Sequence, residues 1–110
     1  MTSPIFDFLD TPDQTELSAQ LTEQLHQATL PLDTVTVFFD ARNLPCPMPL
    51  LKAKLTLRSV ADGKALYLIA TDKNSQHDLV AFCQKNGYTV HAWQSEQADA
   101  MIYHFIIKKP

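Results

Sequence analysis

Three prolines stand around one cysteine in Leu44-Pro45-Cys46-Pro47-Met48-Pro49, and a helix-like apolar period starts at once in Leu50-Leu51-Lys52-Ala53-Lys54-Leu55. Proline fixes φ and has no N–H, so it suits the first turn of a helix and breaks the interior. Pro47 and Pro49 therefore predict the opening of a helix, with Cys46 at or beside its N-cap. The unpaired N–H groups and positive dipole end of a helix favour an anion there. A thiol so placed loses its proton more readily, and the thiolate is the reactive form. The stretch predicts a stiffly mounted, reactive thiol.

The chain has 110 residues, which suits one domain, and its 45% apolar content is enough for a single core. A net charge of −3 argues against a nucleic-acid-binding surface, which usually makes a domain basic. No apolar run reaches the roughly 20 residues of a membrane span. No basic segment followed by an apolar core marks a secretory signal. Cys46 and Cys83 do not form a CxxC pair, and free thiols fit a reducing compartment, so a cytoplasmic location is expected.

Residues 1–32 read as an N-terminal extension to a domain at 33–110. Ile5, Phe6, Phe8 and Leu9 form an apolar cluster. Thr11-Pro12-Asp13-Gln14 has the form of a helix start, with Thr11 as N-cap and Pro12 at the first helical position. Leu17, Leu21 and Leu25 then recur at i, i+4, i+8, one narrow stripe, and Pro31 stops the helix. This helix has three possible beds: its own domain, a second copy, or a partner protein.

Residues 34–40 alternate as a strand, with Val35, Val37 and Phe39 on one face and Thr34, Thr36 and Phe38 on the other. Asn43 suits a left-handed backbone position. In the helix after the thiol, Leu50, Ala53, Leu57 and Val60 form one apolar row and Met48, Leu51 and Leu55 another, together a wide buried face. Asp62-Gly63 is a turn. Residues 65–71 are apolar at nearly every position, as in a central strand. Ser75 and Asp78 resemble a capping box, Leu79, Phe82 and Cys83 give helical spacing, and Gly87 ends that helix. Residues 88–94 and 101–107 read as a hairpin joined near Gln97. The sum is an α+β, two-layer β-α-β-α-β-β sandwich.

The run Asp40-Ala41-Arg42-Asn43-Leu44-Pro45-Cys46-Pro47-Met48-Pro49 resembles the Cys-Pro-x-Pro signature of the TusA/SirA-like sulfur-carrier family. Ala70-Thr71-Asp72, Asp78 and Phe82-Cys83 are similar to its second half, and the likeness runs from about residue 33 to 109. The resemblance implies a four-stranded mixed sheet with two helices on one face. It implies a persulfide relay on Cys46, fed by a cysteine desulfurase or a rhodanese-type donor and discharged to an acceptor protein. The family's routes include tRNA thiolation, molybdenum-cofactor metabolism, sulfur oxidation and thiosulfate uptake. Asn43 stands where members commonly carry glycine, and the extension lies outside the minimal family domain.

For this chemistry Cys46 is the catalytic candidate. Arg42, Pro47, Met48, Pro49 and Lys52 are candidates for shaping the loop or meeting a partner. The backbone N–H groups of Met48, Leu50 and Leu51 are candidate donors to a thiolate or persulfide. Cys83 lies on an apolar helix face, as a packing cysteine does. His26, His77, His91 and His104 lack zinc spacing, so no metal is expected, nor any cofactor. His91 and His104 read as an exposed cross-strand pair. The partners expected are the two proteins of the relay, without direct nucleic-acid contact or membrane insertion; a homodimer is compatible with the sequence. Two other readings use the same residues. One is a non-catalytic regulatory or binding module. The other is a thiol redox protein working through Cys46 and Cys83.

Overall fold

The computed structural model describes residues 13–45, 47–97 and 100–110. Helix α1 spans Gln14–Gln27, strand β1 Val35–Ala41, helix α2 Met48–Leu57 and strand β2 Ala65–Ala70. Helix α3 spans Lys73–Asn86, and strands β3, Thr89–Gln97, and β4, Ala100–Lys108, complete the chain. The order in the sheet is β1-β2-β4-β3. β1 and β2 are parallel, and β4 runs antiparallel to both of its neighbours. The β-α-β-α-β-β order and the mixed sheet agree with the sequence reading.

β2 reads Ala-Leu-Tyr-Leu-Ile-Ala and is buried at every position, because the sheet is covered on both faces. Leu66, Leu68 and Ala70 turn to one face with Phe105 and Ile107, where α2 supplies Ala53 and Leu57, and α3 supplies Leu79 and Cys83. Tyr67 and Ile69 turn to the other face with Ile102 and Ile106, where α1 lays down Leu17, Leu21 and Leu25. Those three leucines are 1%, 0% and 0% exposed. Of the three beds open to α1, its own domain is the one it occupies, and it adds a third layer to the expected two. Gln20 and Gln24, one turn apart on α1, accept hydrogen bonds or share them with β3: Gln20 Oε1 from Trp93 Nε1 at 3.2 Å, Gln24 Oε1 with His91 Nε2 at 2.7 Å.

Several local expectations shift. The expected N-cap Thr11 and first helical residue Pro12, the Ile5–Phe6–Phe8–Leu9 cluster and Cys46 lie outside the described residues; the N-cap of α1 is Asp13. In β1 the register slips between Val35 and Val37, leaving Thr36 as an extra residue. Val35 consequently packs on the α1 side with Phe38, away from Val37 and Phe39. α3 begins at Lys73 and not after Ser75, because Asp72 accepts a hydrogen bond from the Asn74 N–H and serves as the N-cap. Gly87 closes α3 at φ 75°, a left-handed cap. On α2 only one of the two apolar rows is buried. Leu51 and Leu55 are 43% and 53% exposed, because a helix lying on a sheet beside α3 covers a single stripe.

His91 and His104 do not face each other. His91 pairs with Ile106, and His104 pairs with Trp93. His104 is fully buried. Its Nδ1 shares a hydrogen bond of 2.7 Å with the Tyr67 hydroxyl and its Nε2 one of 2.7 Å with Ser95 Oγ. The rings of Trp93 and His104 stack at 4.7 Å. Period-two alternation does not reveal which face is solvent once a helix covers the second face. Among the described residues no group of His, Cys, Asp and Glu could hold a metal.

Candidate functional site

β1 and β2 run parallel and end side by side at the Ala41–Ala70 pair. α2 and α3 both start just beyond that edge, so their N-terminal ends face the same side of the molecule. The β1–α2 loop, residues 42–47, carries the proline-framed motif across this edge.

Nearly every amide donor of the described loop has a fixed acceptor. The Arg42 N–H donates to Asp40 Oδ1 at 3.1 Å. Asn43 adopts φ 66°, the left-handed position expected for it, and its N–H donates to Thr71 Oγ1 at 2.9 Å. The Leu44 N–H donates to the Ala41 carbonyl at 3.3 Å, and the Met48 N–H to the Pro45 carbonyl at 2.8 Å. Pro45 and Pro47 have no N–H. The last of these bonds ties Met48 back to Pro45. The loop is thus tied to both β1 and the start of α3.

Pro47 is the N-cap of α2 and is exposed, and Pro49 is buried in the first helical turn. Cys46 therefore directly precedes the N-cap in the chain. Of the three amides expected to face an anion, that of Met48 is used by the bond to Pro45. Leu51 donates to the Pro47 carbonyl at 3.1 Å. Those two N–H groups hold backbone, so the sequence expectation for them is corrected.

Arg42 is bound from two sides. Its Nη1 and Nη2 donate to the Asp13 carboxylate at 2.7 and 3.3 Å. Its Nε and Nη2 donate to the Asp40 carboxylate at 2.9 and 2.8 Å. Bidentate guanidinium–carboxylate pairs are the strong and geometrically specific ones. These bonds, Asp40 first, raise the Arg42 pKa above its already high value. Asp13 also accepts from Gln97 Nε2 at 2.9 Å. Thr71, Asp13 and Gln97 were not singled out by the sequence as loop anchors, since each is far from the motif in the chain.

Lys52 lies half-buried one turn into α2, and beyond it Leu51, Lys54, Leu55 and Arg58 are exposed. From position 42 to 61 the basic residues are Arg42, Lys52, Lys54 and Arg58, and there is no acidic residue. In an otherwise acidic chain, the exposed side of α2 is apolar and basic. Lys54 Nζ stands 5.4 Å from the Phe82 ring centre.

Cys83 is a free thiol, fully buried against the sheet. Burial pushes its pKa up to about 11. It sits ten residues past the start of α3, roughly 15 Å of helix from the edge that carries the motif. A buried, neutral thiol at that depth is a packing residue.

Comparison with known proteins agrees with this geometry. The family model described as Sulfurtransferase TusA matches residues 37–109. A sulfur carrier protein TusA of Allochromatium vinosum is 40% identical over 70 residues, 64% of this chain and 88% of that protein. A putative sulfur carrier protein YrkF of Bacillus subtilis is 34% identical over 74 residues, 67% of this chain; the match spans only 38% of that longer protein. The fold is similar to the crystal structure of a SirA-like protein from Desulfitobacterium hafniense. The TM-score is 0.56 at 20% identity, covering 68% of this chain and all of that one. With the match spanning most of the sheet and both helices of the motif-bearing face, the chain belongs to the TusA sulfurtransferase family.

Proposed function

We propose that Cys46 carries sulfane sulfur between two proteins. The observation that carries this reading is the loop itself: a cysteine between two prolines, directly before the N-cap of α2 in the chain, in a loop where the Arg42, Asn43, Leu44 and Met48 amides each have a fixed acceptor. The dipole end of α2 favours the thiolate. A moderate lowering of pKa suits transfer, because nucleophilicity falls together with pKa.

The Cys46 thiolate attacks the outer sulfur of a donor persulfide. The donor's S–S bond breaks, and its electron pair stays on the donor's inner sulfur as a thiolate. The new S–S bond leaves a persulfide on Cys46, with no net oxidation. Discharge repeats the step with an acceptor thiolate. The donor is of the cysteine desulfurase or rhodanese type, and the acceptor belongs to a sulfur-using route such as tRNA thiolation. The relay works in the cytoplasm. The exposed side of α2, with Leu51, Lys52, Lys54, Leu55 and Arg58, adjoins the motif and is where both proteins meet the chain. Its chemistry asks for partners offering apolar and acidic groups. Pro47, Met48 and Pro49 set the mouth of that surface.

Incubation with a cysteine desulfurase and cysteine, followed by intact mass measurement, tests the proposal. The wild type gains one sulfur atom, reductant removes it, and Cys46→Ser gains none. A wild-type chain that takes no sulfur from desulfurase or rhodanese donors contradicts it.

A further inference from the structure

We propose that Asp13 is a positioning residue for sulfur transfer, through which α1 holds the thiol-bearing loop in place; this inference rests on the persulfide reading of Cys46. Asp13 occupies the N-cap of α1, the place where an aspartate usually accepts from its own helix. It makes no such side-chain capping bond. Its carboxylate is turned instead to Arg42, at 2.7 and 3.3 Å, and to Gln97, at 2.9 Å. Both partners of the ion pair are largely shielded, the side chains of Arg42 and Asp13 being 18% and 16% exposed.

Arg42 stands four residues before Cys46, and the chain between them has few freedoms. Asn43 is held in the left-handed region and bonded to Thr71, Leu44 is bonded to Ala41, and Pro45 has a fixed φ. A pull on Arg42 is therefore transmitted along a stiff segment as far as Pro45, the residue before Cys46 in the chain. Asp13 is in turn anchored by α1, whose Leu17, Leu21 and Leu25 are buried on the far face of the sheet. The linkage joins α1, the thiol loop and the end of β3. Because α1 precedes the 37–109 span matched by the family model, this attachment belongs to the part of the chain outside the family's core.

The ion pair also leaves Arg42 with two carboxylates, Asp13 and Asp40, around one guanidinium. Its positive charge is spent inside the molecule. Its part in sulfur transfer is to set the loop, while Lys52, Lys54 and Arg58 remain to meet an acidic partner.

The test compares the full chain with Asp13→Asn, Asp13→Glu and Gln24→Ala. Two quantities are read: hydrogen exchange of the Arg42, Asn43, Leu44 and Met48 amides, and the rate of sulfur loading from a cysteine desulfurase. In Asp13→Asn those amides exchange about tenfold faster, and loading slows about tenfold, as expected when a reacting atom loses its preset place. Asp13→Glu restores most of both. Gln24→Ala removes one hydrogen bond between α1 and His91, far from Arg42, and leaves the leucine anchor of α1 in place, so loop exchange stays at the wild-type rate. Asp13→Asn with wild-type exchange, or with faster exchange and wild-type loading, overturns the inference while the persulfide reading stands. A wild type that never loads overturns the persulfide reading, and the exchange data then report a link without a transfer role.

Discussion

Thr29 sits at φ 59°, where a β-branched side chain meets its own backbone. It follows the end of α1, and the Leu30 N–H reaches back to the Leu25 carbonyl at 2.9 Å, a bond that needs a left-handed residue between. Glycine is the usual occupant. Thr29→Gly is therefore expected to stabilise the fold by about 0.5–1 kcal/mol, read from denaturant midpoints. Asn43→Gly, at a position asparagine already tolerates, gains only a few tenths of that order. At His104, burial holds the pKa down to about 4 from 6.5, helped by the nearby Arg42 charge and opposed by Asp13. The unfolded chain takes up a proton as pH falls through 6.5, whereas the folded chain does not until about 4. This contribution to stability is complete above the upper value and is lost between the two, by at most about 1.4 kcal/mol per pH unit. Urea unfolding at pH 7 and pH 5 measures it, and His104→Gln removes that part of the slope.

At the scale of elements, α1 and α2 show opposite uses of leucine. On α1 the leucines at i, i+4 and i+8 are buried on the sheet. Leu21→Ala should cost about 2–4 kcal/mol, since it empties a fully buried site between helix and sheet. Thermal or denaturant unfolding reads this directly. On α2, Leu51 and Leu55 face solvent one turn apart. Replacing both with Ser should change stability by no more than about 0.5 kcal/mol and slow sulfur exchange with protein donors. A loss of stability as large as that of Leu21→Ala would place these leucines in the core and remove the docking surface from the account. Helical periodicity identified the apolar rows on both helices. It did not say which rows are covered, because that depends on how many helices share a sheet face.

Across the whole molecule, the features legible in the sequence were those written in local chemistry. Pro47 and Pro49 placed the start of α2, Gly87 the end of α3, Asn43 the left-handed turn, and the unbroken apolar run of β2 the centre of the sheet. What escaped was long-range. The slip at Thr36 moved Val35 to the opposite face, and the layer formed by α1 buried His104, which alternation alone had assigned to solvent. The loop anchors Asp13, Thr71 and Gln97 come from three other segments of the chain, and only the folded sheet brings them together with Arg42 and Asn43. No helix among the described residues is long and apolar enough to cross a membrane.

Peptide-resolved mass spectrometry tells directly which of the two cysteines, Cys46 or Cys83, takes up the sulfur. The chain is loaded with a desulfurase and cysteine, trapped with an alkylating reagent, and cut with trypsin. Cys46 then lies in the fragment 43–52 and Cys83 in 74–85. The extra sulfur is expected on 43–52 alone, with 74–85 left as an unmodified, slowly alkylated thiol. Sulfur on 74–85, or on neither fragment, would contradict the assignment of Cys46 as the carrier.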